Sequence, residues 1–453
     1  MSKNEGLNRR AFLRNAGMTA LVGAVGPGAS LAAAAAAAPA VAGMNGKYDF
    51  DEIYSRIGTD SIKWDQQIAK YGKDNIAVGM GIADMDFKAA PCIGKALAER
   101  SQHECWGYLE TPTSYIEAIV NWNKRRYGLT VDPNSVVLTT GVHPGLIAAL
   151  QTFSPPGSKV LLTTPTYNGF YSDLKFTRTI AADSPMKLVN GRFMIDFDDF
   201  ERRISHDTNV FILCNPQNPT GNCWTPEELT RLGEICLRRR VVVLADEIHC
   251  DFVRKGQKYT PFASLPNRDI VNNSLTFKAA SKTFGLAAMK AAWFFSTNPD
   301  YLARVKENNR ADLSTLGMVA NRAAITDGDD WLDQVLPYID GNHEFVDAFV
   351  RDKIPMIKYT RAEGTYLAWL DVSAVMEKVG AKQMAADASK NAPAPVAPEV
   401  IMERWFVEHA KVQMNAGSTY GTGGEGHMRM NIATSRKLVE LALNNITRAL
   451  GNT

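Results

Sequence analysis

Short apolar runs alternate with amphipathic stretches through the middle of the chain. The apolar runs, several of them rich in β-branched residues, lie at 135–140, 159–164, 209–214, 241–246, 271–277 and 291–296 and are predicted to be strands. The stretches between them, such as 144–152 and 226–239, are predicted to be helices. This alternation predicts an α/β fold in which a mostly parallel sheet is covered by helices on both faces.

The flanks of this region show other patterns. Residues 73–87 are predicted to be extended and end in A-D-M-D-F, and helices are predicted at 89–102 and 113–127. A helix at 329–352 is predicted to connect the sheet region to the C-terminal part of the chain.

The C-terminal part predicts a smaller α+β domain. Its strands are expected at 365–371, 411–415 and 427–431. Residues 382–398, which are rich in Ala, Pro and Lys, are predicted to be a surface excursion without a mechanistic role.

The first 42 residues are predicted to be a leader. Arg9 and Arg10 precede Phe12 and Leu13, a Gly/Ala-rich run comes next, and the segment ends in A-V-A. A charged start, an apolar middle and an A-x-A end predict a bacterial export signal, and the paired arginines resemble the twin-arginine type. An uncleaved membrane tether is the alternative, although an alanine-rich run broken by G-P-G is a poor spanning helix. We therefore expect a periplasmic protein, exported folded, with no stable membrane span after cleavage.

These patterns divide the chain into four parts. Residues 1–42 are the leader, 43–88 an N-terminal segment that joins the small domain, 89–335 a large domain, and 336–453 the small C-terminal α+β domain.

Composition narrows the function classes. The chain has 453 residues, a net charge of +2 and 45% hydrophobic residues, which fits a two-lobed soluble enzyme. No basic run lies in the body of the chain, so nucleic acid is not an expected partner. Six cysteines lack paired spacing, so they predict free thiols and no metal site.

Polar residues that could take part in catalysis or ligand binding come directly after several predicted strands. Lys282 stands in S-K-T-F-G-L after the 271–277 run, Asp246 in L-A-D-E-I-H, and Asn218 in N-P-T-G. The carboxyl ends of parallel strands meet at one edge of a sheet, where ligands of open α/β sheets bind. A desolvated lysine amine at that edge is the group that Schiff-base chemistry requires.

Asn218, Asp246 and Lys282, separated by 28 and 36 residues, resemble the invariant set of pyridoxal-phosphate enzymes with the aspartate-aminotransferase fold. The resemblance extends from about residue 73 to the C-terminus. The motifs A-D-M-D-F, W-G-Y, D-E-I-H, S-K-T-F, E-G-T-Y-L-A-W-L-D and M-R-M-N are most similar to the MalY/PatB branch, which contains cystathionine β-lyases and related carbon–sulfur lyases. The implied cofactor is pyridoxal 5′-phosphate, bound in the large domain.

The resemblance implies roles around the cofactor ring. Lys282 binds the cofactor aldehyde and serves as the catalytic base. Asp246 pairs with the ring nitrogen, although an isolated L-A-D would suggest a helix cap. His249 and Asn218 lie near the 3′-oxygen, with a structural histidine and a simple turn as the alternatives. Tyr167 stacks on the ring, or merely packs.

Other implied contacts concern the phosphate. Gly141, Val142 and His143 open a helix whose backbone N–H groups would bind it. Ser281 and Lys290 are further ligands, Lys290 standing where many aminotransferases carry arginine. Ala279 replaces a serine that the family often uses.

The remaining implied contacts concern the substrate and a second subunit. Arg429, an ordinary surface arginine by default, is implied as the clamp for the substrate α-carboxylate. Asn218 and the backbone at Ala83 would assist it. Tyr108 in W-G-Y is implied to reach the phosphate of the neighbouring subunit, which predicts a homodimer with active sites at the interface.

Three functions are compatible with these residues. The first is a β-lyase that acts on an L-amino acid with a sulfur leaving group and yields thiol, pyruvate and ammonia. An aminotransferase of L-amino acids would use the same lysine, aspartate and arginine. A binding or regulatory protein on an enzyme-derived fold is disfavoured, because it would not need all three.

Overall fold

The computed structural model describes residues 46–451, so the predicted leader at 1–42 lies outside the described part. The described residues 46–451 form one compact unit. The proposed boundaries at 88 and 335 within this unit stay a prediction. Between residues 46 and 451, no helix combines the length and apolar character needed to cross a bilayer.

The regular elements succeed one another along the whole described chain. The strands are β1 (Val78–Gly79), β2 (Val137–Thr139), β3 (Lys159–Thr164), β4 (Ile180–Pro185), β5 (Lys187–Val189), β6 (Arg192–Met194), β7 (Thr208–Cys214), β8 (Val242–Asp246), β9 (Ser274–Lys278), β10 (Ala292–Phe295), β11 (Lys358–Tyr359), β12 (Leu367–Asp371), β13 (Val412–Gln413), β14 (Asn415–Ala416) and β15 (His427–Asn431). The helices are α1 (Asp65–Tyr71), α2 (Pro91–Ser101), α3 (Thr113–Tyr127), α4 (Val142–Phe153), α5 (Gly169–Thr177), α6 (Phe197–Arg202), α7 (Pro226–Arg238), α8 (Arg268–Asn272), α9 (Ala280–Thr283), α10 (Pro299–Asn308), α11 (Thr315–Asp327), α12 (Asp329–Lys353), α13 (Ser373–Val379), α14 (Ala381–Ser389), α15 (Pro398–Trp405) and α16 (Arg436–Gly451).

A seven-stranded sheet forms the centre of the molecule. Its strand order is β2-β10-β9-β8-β7-β3-β4. The pairs from β9 to β4 are parallel, and β10 is antiparallel to both of its neighbours. This arrangement confirms the predicted α/β class with a mostly parallel sheet.

Both faces of this sheet are buried. In β7, Ile212 packs in one hydrophobic cluster with Leu146 of α4, while the adjacent Phe211 packs in another with Leu232 of α7. Successive side chains of a strand point to opposite faces, so an uninterrupted apolar run such as β7 buries both sides under helices. The run of apolar residues is therefore the reason that this strand lies in the middle of a covered sheet.

A second, antiparallel sheet lies in the C-terminal part of the chain and contains Arg429. Its strand order is β11-β12-β15-β14, and Arg429 of β15 lies opposite Trp369 of β12. The N-terminal segment joins this region through the parallel pair β1 and β13, in which Val78 lies opposite Val412.

The start of α7 shows how the sequence sets a boundary. Thr225 accepts a hydrogen bond from the backbone N–H of Glu228, the Glu228 side chain accepts one from the backbone N–H of Thr225, and Pro226 occupies the first turn. This reciprocal capping box fixes the helix at the predicted residue.

The predicted strand at 271–277 is wrong at its start. Arg268–Asn272 are helical because the Asn267 side chain accepts hydrogen bonds from the backbone N–H groups of Asp269 and Ile270. Val271 is buried on this helix, and the strand begins at Ser274.

The predicted surface excursion at 382–398 is also wrong in part. Ala381–Ser389 form α14, with Ala381 and Ala385 buried in the hydrophobic core beside the second sheet. Alanine has the highest helix propensity, and its small side chain allows close packing. The alanine-rich composition therefore encodes a packed helix.

Candidate active site

A cavity of about 370 Å³ opens at the carboxyl ends of the central strands. Eleven of the predicted site residues line it: Ala83, Gly141, Val142, His143, Tyr167, Asn218, Asp246, His249, Ser281, Lys282 and Lys290. The strand-end position that the sequence predicted therefore brings them together. Of the other two, Arg429 contacts Asn218 at the cavity's side, and Tyr108 does not line the cavity.

Lys282 reaches the cavity from the short helix α9, which comes directly after β9. Its Nζ donates a hydrogen bond of 2.8 Å to the backbone carbonyl of Ala83. Desolvation lowers the pKa of this amine to about 8, and the carboxylate of Asp84 partly opposes the shift. The amine is therefore far easier to deprotonate than an ordinary lysine, as a nucleophile or base requires.

Asp246 ends β8 and is 5% exposed. One carboxylate oxygen accepts a 3.1 Å hydrogen bond from the backbone N–H of Ile248. Burial raises the pKa of this carboxyl to about 6. Among residues 46–451, no side-chain cation forms an ion pair with it, so a protonated ring nitrogen in the cavity would supply the missing positive charge.

His143 is held by a buried acid that the sequence did not reveal. Its Nδ1 lies 2.7 Å from Oδ2 of Asp173, and its Nε2 lies 3.3 Å from the Tyr167 hydroxyl. Burial opposes protonation of this imidazole, but the hydrogen bond and charge of Asp173 outweigh it and raise the pKa of His143. Burial also raises the pKa of Tyr167 to about 12, so the phenol is neutral. Asp173 therefore fixes the imidazole that positions the predicted stacking ring.

Arg429 is a buried cation, 2% exposed. One terminal nitrogen donates to Oδ1 of Asn218 at 3.1 Å, the other donates to the carbonyl of Gly81 at 2.7 Å, and its buried Nε has no partner. The guanidinium also lies 5.0 Å from the ring centre of Tyr420. Both acceptors that bind the Arg429 guanidinium are neutral, so an anionic ligand would balance its charge. A carboxylate matches the planar geometry of the guanidinium.

His249 is buried and neutral. Burial, together with the positive charges of Lys282 and Arg429, lowers its pKa well below the usual range. Its Nδ1 has no partner, and its ring lies edge-on to Tyr366 at 5.6 Å. His249 lines the cavity, and its predicted place near the cofactor's 3′-oxygen stays a prediction.

The start of α4 lines the cavity where the phosphate is predicted to bind. Gly141 precedes this twelve-residue helix, and Val142 and His143 form its first turn. Unpaired N–H groups and the helix dipole favour an anion here. Ser281 and Lys290 line the same cavity, and their roles as phosphate ligands stay predictions.

The segment Gly81–Asp84 lines the cavity at Ala83, and its carbonyls accept hydrogen bonds from side chains of the site. The Gly81 carbonyl accepts from Arg429, and the Ala83 carbonyl accepts from Lys282 and, at 3.1 Å, from the Tyr366 hydroxyl. Asn431 donates to the carbonyls of Ile82 and Asp84, both at 2.6 Å. These hydrogen bonds fix the backbone of the segment, which includes Ala83, the residue predicted to assist carboxylate binding.

The side chains and backbone groups that line the cavity fit pyridoxal phosphate. Lys282 would bind the aldehyde, Asp246 the ring nitrogen and the start of α4 the phosphate, and Tyr167 and His249 line the same cavity. Tyr108 is fully exposed and does not line the cavity, so its predicted role stays a prediction.

Comparison with known proteins gives consistent matches along almost the whole chain. The sequence model of the aminotransferase class I and II family matches residues 75–446. Cystathionine beta-lyase PatB from Bacillus subtilis is 35% identical over 409 residues, 89% of this chain and 100% of that protein.

Solved structures agree with this similarity. The pyridoxal-phosphate-containing cystalysin from Treponema denticola superposes with a TM-score of 0.81 at 27% identity, covering 89% of this chain and 99% of that one. The PLP-bound C-S lyase from Staphylococcus hominis gives a TM-score of 0.78 at 29% identity, with the same coverage of both chains.

Proposed function

Because the chain belongs to the aminotransferase class I and II family, we propose that it uses pyridoxal 5′-phosphate to catalyse β-elimination from sulfur-containing L-amino acids. The products are a thiol, pyruvate and ammonia, and one water molecule is consumed. Similarity to a cystathionine beta-lyase over that protein's full length, together with Lys282, Asp246 and Asn218 in one cavity, is the observation that carries this proposal.

The cofactor and Lys282 have different roles in the reaction. When bound, pyridoxal phosphate acts as an electron sink for negative charge at the substrate Cα. Asp246 stabilises a proton on the ring nitrogen, which keeps the ring electron-withdrawing. Lys282 holds the cofactor and accepts the Cα proton at Nζ, since its pKa of about 8 leaves part of the amine neutral near neutral pH.

The substrate is oriented by the buried cation. Arg429 and Asn218 bind the α-carboxylate, and the fixed backbone at Ala83 narrows the space beside it. Holding the carboxylate in this place points the Cα proton toward Lys282 and leaves the Cβ–sulfur bond to break.

The product profile tests the proposal. Purified protein loaded with cofactor should release pyruvate from L-cystathionine without any added keto acid, and Lys282→Ala should release none. Release that depends on a keto-acid acceptor would instead establish an aminotransferase. Absence of both reactions, with the absorbance of bound cofactor missing, would favour a binding protein.

We also propose that the active unit is a homodimer. Residues 102–111 are exposed and carry the apolar side chains of Trp106, Tyr108 and Leu109, and exposed apolar surface of this kind is typical of protein interfaces. Lys282→Ala and Tyr108→Phe protomers should each be nearly inactive, yet a mixed dimer would hold one unaltered site. Recovery of activity on mixing supports the shared site, and its absence contradicts it.

We further propose that residues 1–42 direct export of the folded protein through the twin-arginine pathway to the periplasm. The paired arginines, the apolar run and the A-V-A end support this proposal. Cell fractionation tests it: replacing Arg9 and Arg10 with lysine should retain the protein in the cytoplasm. Unchanged distribution would contradict the proposal.

A further inference from the structure

We propose that Asp251 is a positioning residue that fixes the short helix carrying Lys282 through the hydroxyl of Thr283. Thr283 belongs to the motif S-K-T-F, and Asp251 lies two residues after D-E-I-H, but neither has a part in the reaction described above. The effect on turnover rests on the proposed β-elimination. The attachment of cofactor to Lys282 does not, and it is therefore measured separately.

The helix α9 is too short to hold Lys282 in place by itself. It consists of Ala280–Thr283, and no side chain caps its start. A single helical turn has little stability in water without tertiary contacts. Phe284, directly after it, packs near the rings of Trp122 and Trp331, with both ring centres 5.8 Å away. Such apolar packing buries the turn but is non-directional, so the orientation of the lysine needs a further, directional contact.

The turn has two faces, and only one of them meets the cofactor cavity. Ser281 and Lys282 line that cavity. Ala280 and Thr283, three residues apart and hence on one side of the helix, line a separate cavity of about 10 Å³, which Asp251 also lines. This space is about the size of one water molecule. Among residues 46–451, the two cavities share no lining residue, so Asp251 acts on α9 from outside the cofactor cavity.

A short hydrogen bond supplies the directional contact. The Thr283 hydroxyl donates to Oδ2 of Asp251 at 2.6 Å, and the Tyr127 hydroxyl donates to Oδ1 at 2.5 Å. Burial and the charge of Asp251 raise the pKa of Tyr127 well above its usual range, so this phenol keeps its proton and remains a donor. Hydrogen bonds to a carboxylate are stronger than those between neutral groups. Asp251 is thus fixed by α3 at one oxygen and holds α9 at the other.

The surroundings of Asp251 suit a buried carboxylate. Asp251 is 9% exposed and Thr283 is 1% exposed. Lys278 lines the same small cavity, and its Nζ lies 3.6 Å from the ring centre of Tyr127. A positive charge close to the buried carboxylate offsets part of the cost of its burial.

The contact with Thr283 links α9 to the strand that carries Asp246. That strand, β8, is paired with β7 on one side and β9 on the other. The chain then turns tightly, and the backbone N–H of Cys250 donates to the carbonyl of Glu247 at 3.1 Å. The sheet therefore fixes the Asp246 side, whereas α9 depends on the link. Loss of the link is expected to displace the catalytic lysine and to leave Asp246 in place.

Two substitutions of Thr283 separate the effect of the hydroxyl from that of shape. Thr283→Val removes the hydroxyl at nearly constant volume, and Thr283→Ser retains it. Protein stripped of cofactor is mixed with pyridoxal 5′-phosphate, and the absorbance of the lysine-bound cofactor is followed in time. Thr283→Val should attach the cofactor about 10- to 100-fold more slowly than wild type, as expected when reacting groups are misplaced by about 1 Å. Thr283→Ser should match wild type, and equal rates for the two variants would overturn the inference.

A cofactor analogue and a matched control exclude a general loss of structure. Pyridoxine 5′-phosphate lacks the aldehyde and binds without a bond to Lys282, so its Kd for Thr283→Val should stay within about twofold of wild type. A parallel fall in its affinity would show that Thr283 merely supports the cavity, and would overturn the inference. Thr208→Val removes a buried hydroxyl that accepts a 3.1 Å bond from the backbone of Ser205, at the end of β7 away from the site. It should change neither measurement, and a comparable slowing would also count against the inference.

Asp251→Asn tests the other partner of the hydrogen bond and provides a second measurement if Thr283→Val does not fold. It should also slow attachment. The double variant should be no slower than the slower single variant, because both substitutions break one contact. Multiplied effects would contradict the link.

Turnover of the holoenzyme gives a further measurement. In pyruvate release from L-cystathionine, Thr283→Val should lower kcat about tenfold or more and keep KM within about twofold, since Arg429 and Asn218 are untouched. A rise in KM with kcat unchanged would contradict a role in placing the lysine. If wild type releases no pyruvate, the proposed function fails, while the attachment rates still decide the role of Asp251.

Discussion

Replacing the Lys282 amine with an apolar group is expected to stabilise the cofactor-free protein. The folded chain lowers the pKa of this amine from 10.5 to about 8, chiefly through desolvation. Each pKa unit corresponds to about 1.4 kcal/mol, so the charged amine destabilises the fold by about 3 kcal/mol at pH 7. Lys282→Met also loses the hydrogen bond to Ala83, which contributes about 1 kcal/mol. Lys282→Met is therefore expected to raise the free energy of unfolding at pH 7 by about 2 kcal/mol.

The gain depends on pH in a defined direction. Between pH 8 and pH 10.5, the unfolded chain binds more protons at this lysine than the folded one, so wild-type stability rises with pH in that interval. The advantage of Lys282→Met should therefore be full below pH 8 and should disappear as the pH approaches 10.5.

Urea unfolding of both proteins, stripped of cofactor, at pH 7 and at pH 10 measures this difference. Lys290→Met is the control, because it removes an exposed lysine from the same cavity and should change the free energy of unfolding little. If Lys282→Met is no more stable than wild type at pH 7, or gains equally at both pH values, the argument from desolvation is refuted.

Three further changes have defined outcomes. Asp246→Asn should lower kcat for pyruvate release at least about 100-fold with the cofactor still bound, because a neutral amide does not hold a proton on the ring nitrogen; activity within tenfold of wild type would contradict its role. Arg429→Lys should raise KM more than it lowers kcat, since an ammonium cannot form the bidentate contact, and an unchanged KM would exclude the clamp. Lys63→Met should lower the free energy of unfolding by up to about 3 kcal/mol, because it removes the closer cation, at 2.6 Å, from the buried carboxylate of Asp86 and leaves only Arg56 at 3.5 Å; chemical denaturation tests this, and adding Asp86→Asn should recover part of the loss.

Much of the central sheet could be predicted from sequence because its strands are apolar on both faces. The run at 159–164 became β3 without a change of boundary. The strand predicted from 271 began three residues late, since a short capping interaction at Asn267 competes locally with the apolar pattern. At 382–398, composition was interpreted as exposure, although the same alanines form a packed helix.

Prediction of the candidate site from the sequence was limited in the same way. Residues at or just after strand ends, such as Asp246 and Lys282, were predictable because strand ends converge. Asp173 and Tyr366 were not, because each contacts a site residue from an element whose place depends on tertiary packing. Asp173 sits within α5 with no motif around it, and only the 2.7 Å contact with His143 identifies it.

The pairing of β1 with β13 bears on when the enzyme becomes competent during synthesis. Val78 leaves the ribosome early, but its partner Val412 lies more than three hundred residues later. The segment Gly81–Asp84 lies just after β1, and Arg429, which it contacts, emerges later still. Although large proteins tend to fold from the N-terminus as they are made, this site cannot be completed until translation has nearly finished. A growing chain can thus form much of the central sheet while Arg429 is still missing from the cavity, and the site is complete only in the nearly finished molecule.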